Sequence, residues 1–113
     1  MRNKKDMEVS GNLTDDPDIK EVGDSFVATF TVAVNTKKKE NDKWVDGVPE
    51  FIDCKAWGWQ AEAIANNFLK GEAIDVDGQY KKESWEKDGL KNSRVYCIVK
   101  DFHKIQFSKS ENN

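Results

Sequence analysis

Phe51, Trp57 and Trp59 stand among charged residues in one short stretch, EFIDCKAWGW from Glu50 to Trp59. In an extended strand, successive side chains alternate between two faces. Ile52, Cys54 and Ala56 then share an apolar face, while Phe51, Asp53, Lys55 and Trp57 share the face expected to meet water. Flat rings beside ammonium groups suit one kind of chemistry. A ring stacks on any unpaired nucleobase, at about 1–3 kcal/mol per base and with little regard for sequence. Interleaved lysines neutralise phosphate.

Further residues extend the set. On the run from Ala73 to Trp85, Lys81, Glu83 and Trp85 share one parity, opposite to Ile74 and Val76. Trp44 and the basic run Lys37-Lys38-Lys39 fall in a polar segment. The candidate contacts to a single strand are therefore Asn35, Lys37, Lys39, Trp44, Phe51, Lys55, Trp57, Trp59, Lys81, Trp85 and Arg94. Plainer readings exist for each. Phe51 and Trp57 could cover a subunit interface, where aromatics are also enriched. Trp59 could cap the start of a helix, Trp44 could pin its own loop, and a run of three lysines is ordinarily a solvated face. What favours a site is their convergence on one face.

The bulk composition permits this. At 113 residues the chain has room for one domain and one modest core. Four Trp and six Phe exceed what that core needs, which points to aromatic surface. The net charge of −3 argues weakly against a polyanionic partner, but its distribution matters more. Asp6 to Asp24 holds seven acids against one Lys, whereas Lys37–Lys43 and Lys81–Arg94 are both net basic.

Other chemistries are poorly supported. Cys54 and Cys97 lie in separate apolar runs and His103 is the only histidine, so a zinc site lacks ligands. Both thiols read as buried and inert. Asp15-Asp16 and the Asp75/Asp77 pair could suggest a metal-dependent nuclease, yet no third ligand or base completes a site. There is no phosphate-cradling glycine loop. No cofactor and no metal are expected. The Asn12-Leu13-Thr14 sequon reads as chance without a secretory signal, and no apolar run approaches spanning length. A cytoplasmic protein without a membrane partner is expected.

These residues need a sheet to position them. Met7–Leu13 reads as a short strand ending in a turn at Asp15-Asp16-Pro17. FVATFTVAVN, Phe26 to Asn35, alternates cleanly, with Phe26, Ala28, Phe30, Val32 and Val34 on one face. A polar loop is expected over Thr36–Pro49, with a turn at Asp46-Gly47, and then the strand Glu50–Trp59. Ala61, Ile64, Ala65, Phe68 and Leu69 form one helical stripe, stopped by Gly71. Ala73–Lys82 is a strand with Ile74, Val76, Gly78 and Tyr80 inward. Ser84–Asn92 is a hairpin loop around Asp88-Gly89, Arg94–Val99 a fifth strand, and Lys104–Phe107 a final extension. The order predicts an all-β fold with one helix: a five-stranded Greek-key OB-fold barrel, the helix between strands 3 and 4. The domain is expected over 1–108, with a short disordered tail over 109–113.

Three segments, SGNLTDDPDIK, VATFTVAVN and FIDCKAWGWQAEAIANNFLKGEAIDVDGQ, resemble in order and spacing the bacterial and phage single-stranded DNA-binding proteins. The resemblance runs from about Met7 to Phe107 and is most specific from Phe51 to Gly78. It implies an oligomerising OB-fold, usually a tetramer with a dimer as the alternative, that wraps single-stranded DNA in replication, recombination and repair without catalysis. Phe51, Trp57 and Trp85 fall where that family has base-stacking aromatics; Gln79 and Gln106 fall at positions tied to packing between dimers. Two departures stand out. NTKKK occupies a segment where relatives commonly carry another aromatic, and Asp53 sets an acid on the binding face. The chain stops at SKSENN rather than at an acidic tip, which implies a phage or plasmid version, or a truncated chain, and counts against recruitment of host proteins through such a tip. An accessory factor using the aromatic face for protein contact is the rival expectation.

Overall fold

In the computed structural model, residues 5–105 are described, and they form eight strands and one helix. In chain order these are β1 (Asp6–Leu13), β2 (Asp18–Val22), β3 (Ser25–Val34), β4 (Lys37–Glu40), β5 (Lys43–Asp46), β6 (Glu50–Trp57), α1 (Trp59–Asn67), β7 (Ala73–Lys87) and β8 (Leu90–Lys104). Gln106 and Phe107 of the expected final extension lie outside the described residues, as does the tail expected over 109–113.

The alternation on β3 and β6 does what it predicts. Ala28, Phe30 and Val32 turn inward against Cys54 and Ala56, and Ile64, Phe68, Ile74 and Val76 complete the core. Burying each large apolar side chain contributes about 1.5–3 kcal/mol. β1 pairs with β7, β7 with β8, β8 with β6 in parallel, and β6 with β3. A short β1–β3 pairing, Asn12↔Ala33 and Leu13↔Val32, closes these five strands into a ring. Closure needs a glycine at position 11, because a Cβ there would collide with the Ala33 carbonyl. α1 packs on β3 and β6 and buries Ala61 and Ile64.

Several sequence expectations fail, each for a physical reason. β2 was not foreseen: DIKEV is exposed at every position, pairing at the sheet edge against β3, so it has no apolar period to read. The expected polar loop over Thr36–Pro49 contains the β4–β5 hairpin. Its turn falls at Asn41-Asp42, both with positive φ, and not at Asp46-Gly47, which closes the hairpin's base through Gly47 N–H donating to the Thr36 carbonyl. Ser84–Asn92 is a hairpin turned at Asp88-Gly89 as expected, but its flanks are strand rather than loop. β7 and β8 run through it to a two-residue turn, Asp88-Gly89 at φ 54° and 78°, the geometry that matches strand twist. This hairpin projects past the core, so both its faces are wet and polar. Arg94–Val99 and Lys104 belong to one continuous strand for the same reason.

Tyr80, expected inward, is exposed although its opposite partner Cys97 is buried, because the β1–β7 ladder that covers this edge ends at Asp6↔Gln79. Leu69, expected on the helical stripe, is also exposed: α1 stops at Asn67, and only Phe68, in extended conformation at the cap, stays buried. The strand expected to reach Trp59 stops at Trp57. Gly58 turns the chain at φ 64°, and Trp59 opens the helix.

Candidate nucleic-acid interface

The outer face of the β3–β6 pair is set by register. Opposite partners share a face, so Val27↔Trp57, Thr29↔Lys55, Thr31↔Asp53 and Ala33↔Phe51 present eight outward side chains in two rows. Phe51 and Trp57 stay on the outside, 63% and 45% exposed. The β7–β8 hairpin rises beside this wall, with Lys81↔Tyr96, Glu83↔Arg94 and Trp85↔Asn92 as its outward pairs. Trp85 is 46% exposed.

The two surfaces touch through charged groups. Lys55 Nζ lies 2.8 Å from Glu83 Oε1 and 4.3 Å from the Tyr96 ring centroid, and its side chain is only 14% exposed. Arg94 Nη1 lies 3.7 Å from Asp53 Oδ2, while Thr31 Oγ1 donates to Asp53 Oδ1 at 2.8 Å. Lys55 and Arg94, expected to meet phosphate, thus already hold carboxylates. Lys39 and Lys81 differ: no carboxylate lies within 4 Å of either among the described residues.

A groove of about 280 Å³ lies over Thr29 and Thr31, bounded by Asp15, Asp16, Asp18 and Asp53 with Arg94 and Tyr96. It adjoins a second of about 300 Å³ floored by Val27, Lys55 and Trp57, the two sharing Asp18 and Thr29. Together they make a trough across the wall. Tyr96 was missed in the sequence, although its parity with Arg94 could have revealed it. The trough's acidic rim comes from β2 and the turn before it, elements with no apolar signature.

The remaining predicted residues lie apart from the trough. Asn35 and Lys37 flank the base of the β4–β5 hairpin, where Lys37 Nζ donates to Asp46 Oδ1. That hydrogen bond, with the lysine's charge, holds the Asp46 carboxyl below its usual range. Lys39 and the exposed Trp44 are opposite partners on the hairpin. Trp59 does not join the wall: its ring leans on Phe102, 6.3 Å between centroids, and Phe102 packs edge-on against Phe68. Gln79 Nε2 donates to Asp6 Oδ1 at 3.0 Å, beside Lys5, Tyr80 and Lys100. Among the described residues no group of His, Cys, Asp or Glu could hold a metal ion. Cys54 and Cys97 are opposite partners across the parallel β6–β8 pair, both fully buried; the hydrogen bond between them and their burial push the Cys54 thiol up. No helix among the described residues is long and apolar enough to cross a membrane.

A closed five-stranded barrel in the order β1-β3-β6-β8-β7, with an aromatic trough over its second and third strands, defines an OB-fold binding module. The solved structures agree on the fold. A Plasmodium falciparum SSB complex with ssDNA superposes with a TM-score of 0.81 at 17% identity, covering 94% of this chain and 98% of that one. The small single-stranded DNA-binding protein from Streptomyces coelicolor gives 0.74 at 17% identity, covering 92% and 96%. The chain belongs to the Single-strand binding protein family, whose profile matches residues 5–108. Among relatives, the single-stranded DNA-binding proteins of Borreliella burgdorferi and Aquifex aeolicus are 33% and 35% identical over 92% and 89% of this chain, and 70% and 69% of their own. That of Treponema pallidum is 35% identical over 75% of this chain. The chain's match spans about half the length of that last relative, 48%.

Proposed function

We propose that this protein binds single-stranded DNA with little sequence preference and without catalysis, protecting it during replication, recombination and repair. Family membership supports the partner, and the observation that carries the site is the trough. Trp57 lines it and Phe51 stands beyond Asp53 on the same strand face, open rings on a rigid wall, and Trp85 stands on the neighbouring hairpin. Unpaired bases stack on these rings, while Lys39 and Lys81, with Lys37 and Asn35 near the hairpin base, meet the phosphates. Trp44 on the β4–β5 hairpin and Trp59 at the start of α1, both away from the trough, are further rings on which bases beyond it can stack. Duplex DNA, whose bases are already stacked, offers the rings nothing.

The active unit on this reading is the OB-fold domain over 1–108, acting in the cytoplasm as a homo-oligomer, a tetramer or a dimer. Linked sites raise avidity without new contacts. Gln79, with Gln106, is the proposed packing position between copies; light scattering of the native protein and of Gln79→Ala tests it. The DNA reading is tested by titrating oligo(dT) into the protein at several salt concentrations while following tryptophan fluorescence. Quenching that weakens steeply with salt is expected, and an equal duplex produces little. No quenching would overturn the reading in favour of an accessory factor that docks protein on the same rings.

A further inference from the structure

The centre of the wall is short of free positive charge. The groove over Thr29 and Thr31 is lined by four carboxylates, Asp15, Asp16, Asp18 and Asp53, against the single guanidinium of Arg94. That guanidinium faces Asp53 Oδ2, the oxygen left over once Thr31 has occupied Oδ1. Lys55, the other central cation, is enclosed between Glu83 and the Tyr96 ring. A phosphate approaching either cation must displace a carboxylate or lie next to one, and like charges at such separations repel. Bases carry no such penalty.

We propose that Asp53 and Glu83 are affinity-limiting residues of this site: they occupy Arg94 and Lys55, so the middle of the wall grips bases and turns phosphates outward to the hairpins. The proposal rests on the reading of the wall as a single-strand site. It gives the two acids a role beyond folding. The bound strand is held tightly enough to stay unpaired, yet each central contact is a weak one that a processing protein can take over.

The test is the salt dependence of oligo(dT) binding by Asp53→Asn and Glu83→Gln. The amide introduced by Asp53→Asn keeps an oxygen for the Thr31 hydroxyl, so that hydrogen bond is preserved. Each cation released to phosphate steepens the slope of log K against log salt by about 0.7 and tightens binding about three- to tenfold at low salt, with convergence on the native protein at high salt. Arg94→Gln should weaken the Asp53→Asn variant at least about threefold more than it weakens the native protein, the non-additivity expected of groups in contact. A native protein that quenches normally, with variants of unchanged slope, overturns this proposal and leaves the proposed function standing. Tighter binding without a steeper slope also overturns it, as does an additive effect of Arg94→Gln. A native protein that binds no oligo(dT) overturns both.

Discussion

The β3–β6 wall and the two hairpins, β4–β5 and β7–β8, carry the same residue types in opposite states. On the wall the aromatics rest on a packed barrel, and both central cations are paired with acids. On the hairpins most lysines stand in water, Lys39 and Lys81 without carboxylate neighbours among the described residues, and Trp44 is 70% exposed, while Trp85 at 46% is about as open as Trp57. Rigidity and charge are therefore divided between the two. A ring fixed by its strand loses little conformational freedom on stacking, whereas a hairpin lysine can follow a moving phosphate at the cost of its own entropy. On the proposed reading, the wall supplies grip and the hairpins supply steering.

The sharpest way to break this contrast is to remove rings from each region. Trp57→Ala should cost about 1–3 kcal/mol of binding to oligo(dT), read as a roughly 5- to 150-fold loss with an unchanged salt slope. Trp85→Ala should cost less, because its ring stands on a projecting hairpin rather than on the packed barrel, and Trp44→Ala least, because its more exposed ring must be ordered before it stacks. Equal losses at all three positions would erase the distinction. Next in size come the charges. Lys39→Ala and Lys81→Ala should each lower the slope by about 0.7 and weaken binding a few-fold at moderate salt. Lys55→Ala should lower it less, since Lys55 already holds Glu83. If Lys55→Ala lowered the slope as much as Lys81→Ala, the wall would be steering phosphate after all.

How much of this was legible in the sequence follows the same division. Wherever one face meets the core and the other meets water, the period of two gave the answer: Phe51, Lys55 and Trp57 face outward as their spacing requires. The barrel's element order was legible too, because three strands, one helical stripe and a two-stranded return each carry an apolar period. What alternation cannot report is a strand that is wet on both sides. β2, the β4–β5 hairpin and the far half of β7–β8 all belong to that class, so they read as loop. Pairing between charges was invisible for a different reason. Lys55 and Glu83 are 28 residues apart, and only the fold brings them to 2.8 Å. Asp53 could be flagged as an acid in the wrong place, but its partner Arg94 could not be assigned to it.

The smallest effect tests whether even the hairpins hold a cation back. Lys37, like Lys38 beside Glu40, departs from the free lysines Lys39 and Lys81: it is bound to Asp46 across the base of β4–β5. The hydrogen bond from Lys37, then its charge, lowers the Asp46 pKa. A carboxyl lowered in the folded state adds stability above its unfolded pKa, and this is lost as pH falls through the folded value. The pair should therefore be intact at every pH above the ordinary aspartate range and should open only in acid below it. Both side chains are largely exposed, so the contribution is small. Carboxyl NMR should show Asp46 titrating below a normal aspartate in the native protein and returning upward in Lys37→Met. Binding at neutral pH should steepen slightly in salt for Asp46→Asn, which frees Lys37, by less than for Asp53→Asn. An Asp46 that titrates normally in the native protein would mean that Lys37 is as free as Lys39 and Lys81, and the contrast between hairpins and wall would then be sharper.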